Sequence, residues 1–188
     1  EDKATQKKEK GLVDTSEEDK SKILSSGGAT KIFENENVAV YRIDSAEAAK
    51  VMGSDTPWCI AKSPRYYNMY VANNLIFYFV EYKGVSGSLS KIAIRAIRDF
   101  DGKVTDLKYT SKMNDGDNED VSKLPDIDQY KSIIKQDAES QKIGLIALIK
   151  ANKASPEQVR EYWNTLVPAS YNEKIEIAKQ IGLFKYDI

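Results

Sequence analysis

The chain has 188 residues, 28 Lys+Arg against 29 Asp+Glu, 41% hydrophobic side chains, one cysteine and no histidine. That composition supplies a core and excludes global disorder, and a formal net charge of −1 gives no general pull toward nucleic acid or acidic membranes. Without histidine there is no Ser–His–Asp or Cys–His catalysis and no His-containing metal site; a single cysteine forbids an intrachain disulfide or a CxxC knuckle.

Residues 1–28 read as a flexible polar arm, closed by the hinge-like Ser25-Ser-Gly-Gly28. Within it, Ser16 followed by Glu17, Glu18 and Asp19 predicts a short helix over about 17–25, because acidic residues suit a first turn. The chain opens on Glu1 rather than Met, so a processed or incomplete start is expected. That opening is too polar for a signal peptide. The longest apolar stretches, Leu75 to Val80 and Ile143 to Ile149, fall far short of the roughly 20 residues a spanning helix needs. A single cysteine fits a reduced cytoplasm, or the inside of a particle assembled there, and no membrane partner is expected.

Strand signals dominate from about residue 30 to 110. Lys31-Ile-Phe33 and Val38-Ala-Val-Tyr-Arg-Ile43 flank the turn-prone Asn35-Glu-Asn37 and predict a hairpin. Ser45 caps a helix over Ala46 to Met52, with Gly53 where a C-terminal cap falls. Trp58-Cys-Ile-Ala61 reads as a brief buried strand. Ser63-Pro64 then opens a helix to about Ala72, where Asn73-Asn74 can take left-handed geometry. Strands at 75–82, 90–99 and 103–109 form a meander, with Asp101-Gly102 as a two-residue hairpin signal.

From 111 onward the pattern changes. Asn114-Asp-Gly-Asp-Asn-Glu-Asp120 is an acidic loop ending at Pro125. Helical patterns follow at about 126–137, 139–150, 156–166 and 170–181, the third opened by Ser155-Pro156. The expected organisation is an arm (1–28), a sheet domain (29–112) and a helical part (113–188) packed on or beside it. The fold class is α+β: a mostly antiparallel central sheet with inserted short helices and a C-terminal helical cluster.

Few residues point to chemistry. Cys59 lacks a histidine base, although Lys62 or Arg65 could stabilise a thiolate; free cysteine is among the most buried residue types, so packing is the favoured reading. Trp58, Arg65, Tyr66, Tyr67 and Tyr70 form the densest aromatic and basic group, suited to stacking a base or a peptide, or to packing on the sheet. Asp55 lies just before it. The binding candidates are thus Asp55, Trp58, Cys59, Arg65, Tyr66 and Tyr70, with no catalytic residue assigned. Lys91, Arg95 and Arg98 make one basic stripe, either a single-stranded nucleic-acid contact or a charged face protecting a sheet edge. The acidic loop fails the D-x-[DN]-x-[DN]-G calcium pattern from Asp115, since Asp120 stands where glycine is required. No phosphate-cradling glycine loop is present. No metal and no cofactor is expected.

The run Gly53-Ser-Asp-Thr-Pro-Trp-Cys-Ile60 resembles a G-x-x-T-x-W-C box of uncharacterised tailed-bacteriophage proteins. As in that family, an aromatic-containing helix follows, then strands like Leu75-Ile-Phe-Tyr-Phe79 and Lys91-Ile-Ala-Ile94 and a turn like Asp101-Gly102. The similarity covers about residues 38–110. The family often carries a basic residue between Thr and Trp, where this chain has Pro57. The resemblance implies a viral origin and no defined activity. The functional expectation is a phage-encoded, non-enzymatic protein acting through protein–protein contacts, in the virion or on a host factor. The alternative is a small enzyme or a nucleotide- or single-stranded nucleic-acid-binding protein using Trp58 to Tyr70.

Overall fold

Eight consecutive strand-forming residues, Leu75-Ile-Phe-Tyr-Phe-Val-Glu-Tyr82, supply the middle of a six-stranded antiparallel sheet. The computed structural model describes residues 17–114, 116, 118–165, 172, 174, 175, 178 and 179. A helix over residues 17–26 (α1) leads into β1 (Ala29–Glu34) and β2 (Val38–Ile43). Three short helices follow: α2 (Ala46–Met52), α3 (Cys59–Lys62) and α4 (Pro64–Ala72). Then come β3 (Leu75–Tyr82), β4 (Lys91–Arg98), β5 (Val104–Ser111) and the two-residue β6 (Glu119–Asp120). After two single 3₁₀ turns the chain closes with α5 (Lys131–Ser140), α6 (Leu145–Lys150) and α7 (Pro156–Thr165). The strands lie in chain order, β1-β2-β3-β4-β5-β6, all antiparallel. The α+β expectation is met.

Both faces of this sheet are covered, which is why β3 is apolar at successive rather than alternate positions. On one face Tyr41, Ile43, Phe77, Phe79 and Ala93 pack against α1 to α4. On the other, Val40, Tyr78, Val80, Ile92 and Ile94 meet Tyr130, Ile134 and Ala138 from the segment ending in α5. Residues 17–28, read as the end of a polar arm, thus join the first layer. Ile23 is buried, Gly27 takes φ +81°, and Gly28 N–H donates to the Ile23 carbonyl at 3.0 Å, a glycine cap rather than a hinge. Residues 1–16 lie outside the described part.

Hydroxyl–carboxylate pairs hold the second layer down. Tyr78 donates to Asp137 at 2.6 Å; Asp126 accepts from Tyr82 at 3.0 Å and from Tyr130 at 3.2 Å. Burial pushes the Tyr78, Tyr82 and Tyr130 hydroxyls well above the usual tyrosine pKa. Arg42 bridges Asp44 and Asp137, each at 2.6 Å, so charge as well as apolar area spans the interface.

The helical third departs from expectation in detail. The helix expected at 126–137 begins at Lys131, because Pro125 and the 3₁₀ turn Ile127–Gln129 occupy its start. The helix expected at 139–150 is broken at 141–144. There Gln141 turns extended (ψ 153°), and the Arg98 guanidinium collects the Ala138, Gln141 and Lys142 carbonyls at 3.0, 2.8 and 2.7 Å. Arg98 is 6% exposed and also donates through Nε to Asn74 O at 3.1 Å. α6 restarts after Gly144, and Ile146, Ile149, Val159 and Ala178 form a satellite core. Most of the helix expected at 170–181 lies outside the described residues.

Candidate functional site

The segment from Gly53 to Tyr70 lies over the β3–β4 part of the sheet and closes the first layer. Its shape follows from the box residues. A Cβ on Gly53 would meet Ala61 Cβ at 2.8 Å and Ala49 O at 2.7 Å, so glycine is required for the end of α2 to touch α3. The Thr56 hydroxyl donates to Gly53 O at 2.7 Å and closes the turn. Trp58, 1% exposed, packs on Phe79 at 4.9 Å between ring centroids and donates from Nε1 to Ser111 O at 3.0 Å. Residues 58–61 are not the brief strand expected. β2 pairs directly with β3 (Val38–Ile43 against Phe77–Tyr82), so the chain between them adds no strand there. Its backbone bonds are made instead within one helical turn.

The nominated residues separate into three places. Asp55 stands at one end of the sheet, where its carboxylate holds Lys91 at 2.9 Å and Lys112 at 2.8 Å. Lys91 also donates to Met52 O at 2.7 Å and lies 3.9 Å from Glu81, which pairs with Lys20 on α1. Partial burial opposes ionisation of Asp55, but hydrogen bonds from Lys112 and Lys91 outweigh it, and its pKa falls below the ordinary value. Lys112 was not nominated; the β5 run was expected to stop at Tyr109, three residues short of it.

Arg65 and Tyr66 point outward from α4, with Tyr66 44% exposed. Tyr67 points inward and donates to Ile43 O at 2.8 Å. Tyr70 lies edge-on to Phe77 at 5.8 Å and carries the Arg95 guanidinium 5.2 Å above its ring. The helix is therefore a packed element with one exposed tyrosine, not a stacking platform of three.

Trp58, Cys59 and Arg95 come together. With buried Ile60, Phe77 and Ala93, and with Thr110 and Asn118, they line a cavity of about 20 Å³ between α3 and the β4–β5 strands. That volume is about one water molecule. Cys59 is half-buried there, and among the described residues no carboxylate lines the space. The cavity can hold one small group and offers no acid–base pair.

The basic stripe does not exist as a surface. Lys91 and Arg95 face the α2–α4 layer, while Arg98, beyond a register shift after Ile97, faces α5 and is spent on four backbone carbonyls. The acidic loop ends in β6: Glu119 accepts from the Tyr109 hydroxyl at 2.9 Å and Asp120 from Ser122 N–H at 2.8 Å. Asp115 and Asp117 lie outside the described residues.

The chain matches no protein-family model, no curated protein and no solved structure. Among the described residues no three His, Cys, Asp or Glu side chains gather as a metal site, and no helix is long and apolar enough to cross a membrane.

A second concave surface was invisible in the sequence. An open groove of about 680 Å³ runs between the β3–β4 and β5–β6 loops, lined by Ser88, Leu89, Tyr109, Ser111, Asn114 and Glu119 among others. The two loops are joined by Lys112 N–H donating to Ser88 O at 2.9 Å. They expose Val85 (49%), Leu89 (49%) and Met113 (65%).

Proposed function

We propose that this protein acts by binding another protein, through the loop end of the sheet rather than through the Asp55–Tyr70 segment. The carrying observation is the exposure of Val85, Leu89 and Met113 on two hydrogen-bonded loops beside the open groove. Single exposed apolar residues are ordinary, but three on adjoining loops, with Leu89 lining the groove itself, favour a contact surface. The Asp55–Tyr70 residues favour this reading by what they do elsewhere: Gly53, Thr56 and Trp58 make structural contacts, and Asp55 is held by two lysines. The resemblance to tailed-phage proteins gives the partner as a virion component or a host factor.

The test replaces Val85, Leu89 and Met113 together by serine. The expected result is that co-purification with virions, or with one host protein, is lost at an unchanged melting temperature. Capture that persists undiminished in the triple variant, or a wild-type chain that captures nothing from either source, would overturn the proposal.

A further inference from the structure

On the first-layer face of the sheet, α1 to α4 cover β1 to β4, and the cavity beside α3 marks where that cover ends. Beyond it, Arg95 on β4 and Lys108 on β5 are directly opposed cross-strand partners. Like charges in that position repel and destabilise the pair. Neither cation has a carboxylate within ion-pair distance among the described residues. Arg95 stacks on Tyr70, which holds the guanidinium in place while leaving its N–H edge without an acceptor among the described residues.

We infer that Arg95, with Lys108 beside it and Asn118 at the cavity, forms a binding site for a single carboxylate group. The other polar atoms define what enters. The Thr110 hydroxyl already donates to Asn114 O at 3.2 Å. Asn118 uses one amide proton on Gly116 O at 3.1 Å and keeps the second. The donors left over are therefore the planar guanidinium fork, one amide N–H and a lysine ammonium. That set matches a planar carboxylate, which a guanidinium binds through two parallel hydrogen bonds.

Charge selects the same class. Asp106 lies diagonal to Arg95, and Asp120 is the partner of Lys108 on its other side. These two carboxylates offset the two cations in formal charge, so no excess positive field remains for a phosphate dianion, and recognition rests on the directional donors of Arg95. The cavity of about 20 Å³ holds about one water molecule, so it admits one oxygen of the carboxylate and no ring or sugar. Buried Trp58, Phe77 and Ala93 give the bound group an apolar backing that strengthens its bonds to Arg95. The carboxylate is either a free small acid or the end of a polypeptide chain, and the site shares Asn118 with the loop-end groove but none of its exposed apolar residues.

The experiment titrates the full ¹⁵N-labelled chain with sodium acetate against sodium chloride at matched ionic strength, following Arg95 Nε–H and the Thr110 and Asn118 amides. Saturable shifts are expected with acetate alone, with a Kd on the order of 1–10 mM. Arg95→Gln should weaken binding by about tenfold or more at an unchanged melting temperature, and Lys108→Gln should weaken it less. N-acetylleucine binding several-fold tighter than acetate, with its amide silent, identifies a chain end; equal affinity identifies a free acid. Identical shifts with chloride, inorganic phosphate binding more tightly than acetate, or acetate binding intact in Arg95→Gln would each overturn the inference.

Discussion

Replacing Arg98 by Met keeps most of the side-chain volume and removes the guanidinium, so it isolates the hydrogen bonds. In the native chain those bonds run to Asn74, Ala138, Gln141 and Lys142 carbonyls at 2.7–3.1 Å. They join the start of β3, the end of α5 and the link into α6, three segments with no ladder between them. A hydrogen bond to a charged group contributes about 1.5–3 kcal/mol, and the four share one charge, so simple addition overstates the loss. Burial opposes the charge and lowers the Arg98 pKa, a cost the variant no longer bears. Allowing partial rehydration of the carbonyls, Arg98→Met should lose about 3–5 kcal/mol. Arg98→Lys, reaching fewer carbonyls from a single nitrogen, should lose somewhat less. Urea unfolding followed by far-UV circular dichroism measures both, and an unchanged m-value would show that the denatured state is not responsible. A loss below about 1 kcal/mol for Arg98→Met would refute the reasoning, since surface substitutions commonly fall in that range.

Gly144→Ala should cost about 3 kcal/mol by urea unfolding, because its Cβ would lie 2.5 Å from the Val71 and Ala72 carbonyl oxygens, which belong to a helix end rather than a flexible side chain. Alkaline titration should also be informative. Tyr67, Tyr78, Tyr82 and Tyr130 are held protonated by burial, so their stabilisation is complete below the ordinary tyrosine pKa and is lost as pH rises above about 10. Absorbance at the tyrosinate band should therefore show these four ionising together with unfolding; smooth titration of all eleven tyrosines before any loss of circular dichroism would contradict it. For Asp55 the sign reverses: its pKa is depressed by Lys112 and Lys91 against burial, so its contribution is present above the ordinary aspartate value and disappears as pH falls through the lowered one. Asp55→Asn should flatten the acid limb of the stability curve, and an unchanged limb would show that the two lysines hold nothing.

The sheet was legible because its signals are local. Ser45, whose hydroxyl accepts from Ala48 N–H at 3.0 Å, and Asn74, at φ +77°, behave as their residue types suggest. The Asp101-Gly102 turn was nearly legible. Asp99 and Lys103 enclose three residues rather than two, with Gly102 at φ +85°, and a bulge between Arg98 and Ile97 then restores the two-residue register. Arg95 therefore faces Lys108 in both readings. The α5–α6 break was not legible, because its cause is an arginine more than 40 residues upstream, and nothing in residues 139–144 announces that their carbonyls are taken. Trp58 failed for a related reason: an apolar run of four is compatible with strand or helix, and only the pairing of β2 with β3 decides.

The same comparison explains why the candidate site moved. By residue type Trp58 and Arg98 stand out as candidates, and the fold uses both to hold layers together. Of the residues that stand out by type the fold leaves Arg95 over, and it adds three that do not. Arg95 is placed opposite another cation, and Val85, Leu89 and Met113 are left in solvent. Each of these carries a cost in the isolated chain: electrostatic repulsion for the first, exposed apolar area for the others. A fold that satisfies every buried polar side-chain atom among the described residues, yet tolerates those costs at two surface places, directs attention to ligands that would relieve them. The two places share Asn118, but the triple serine variant changes no residue that lines the carboxylate site, so the carboxylate titration and the capture test can fail independently.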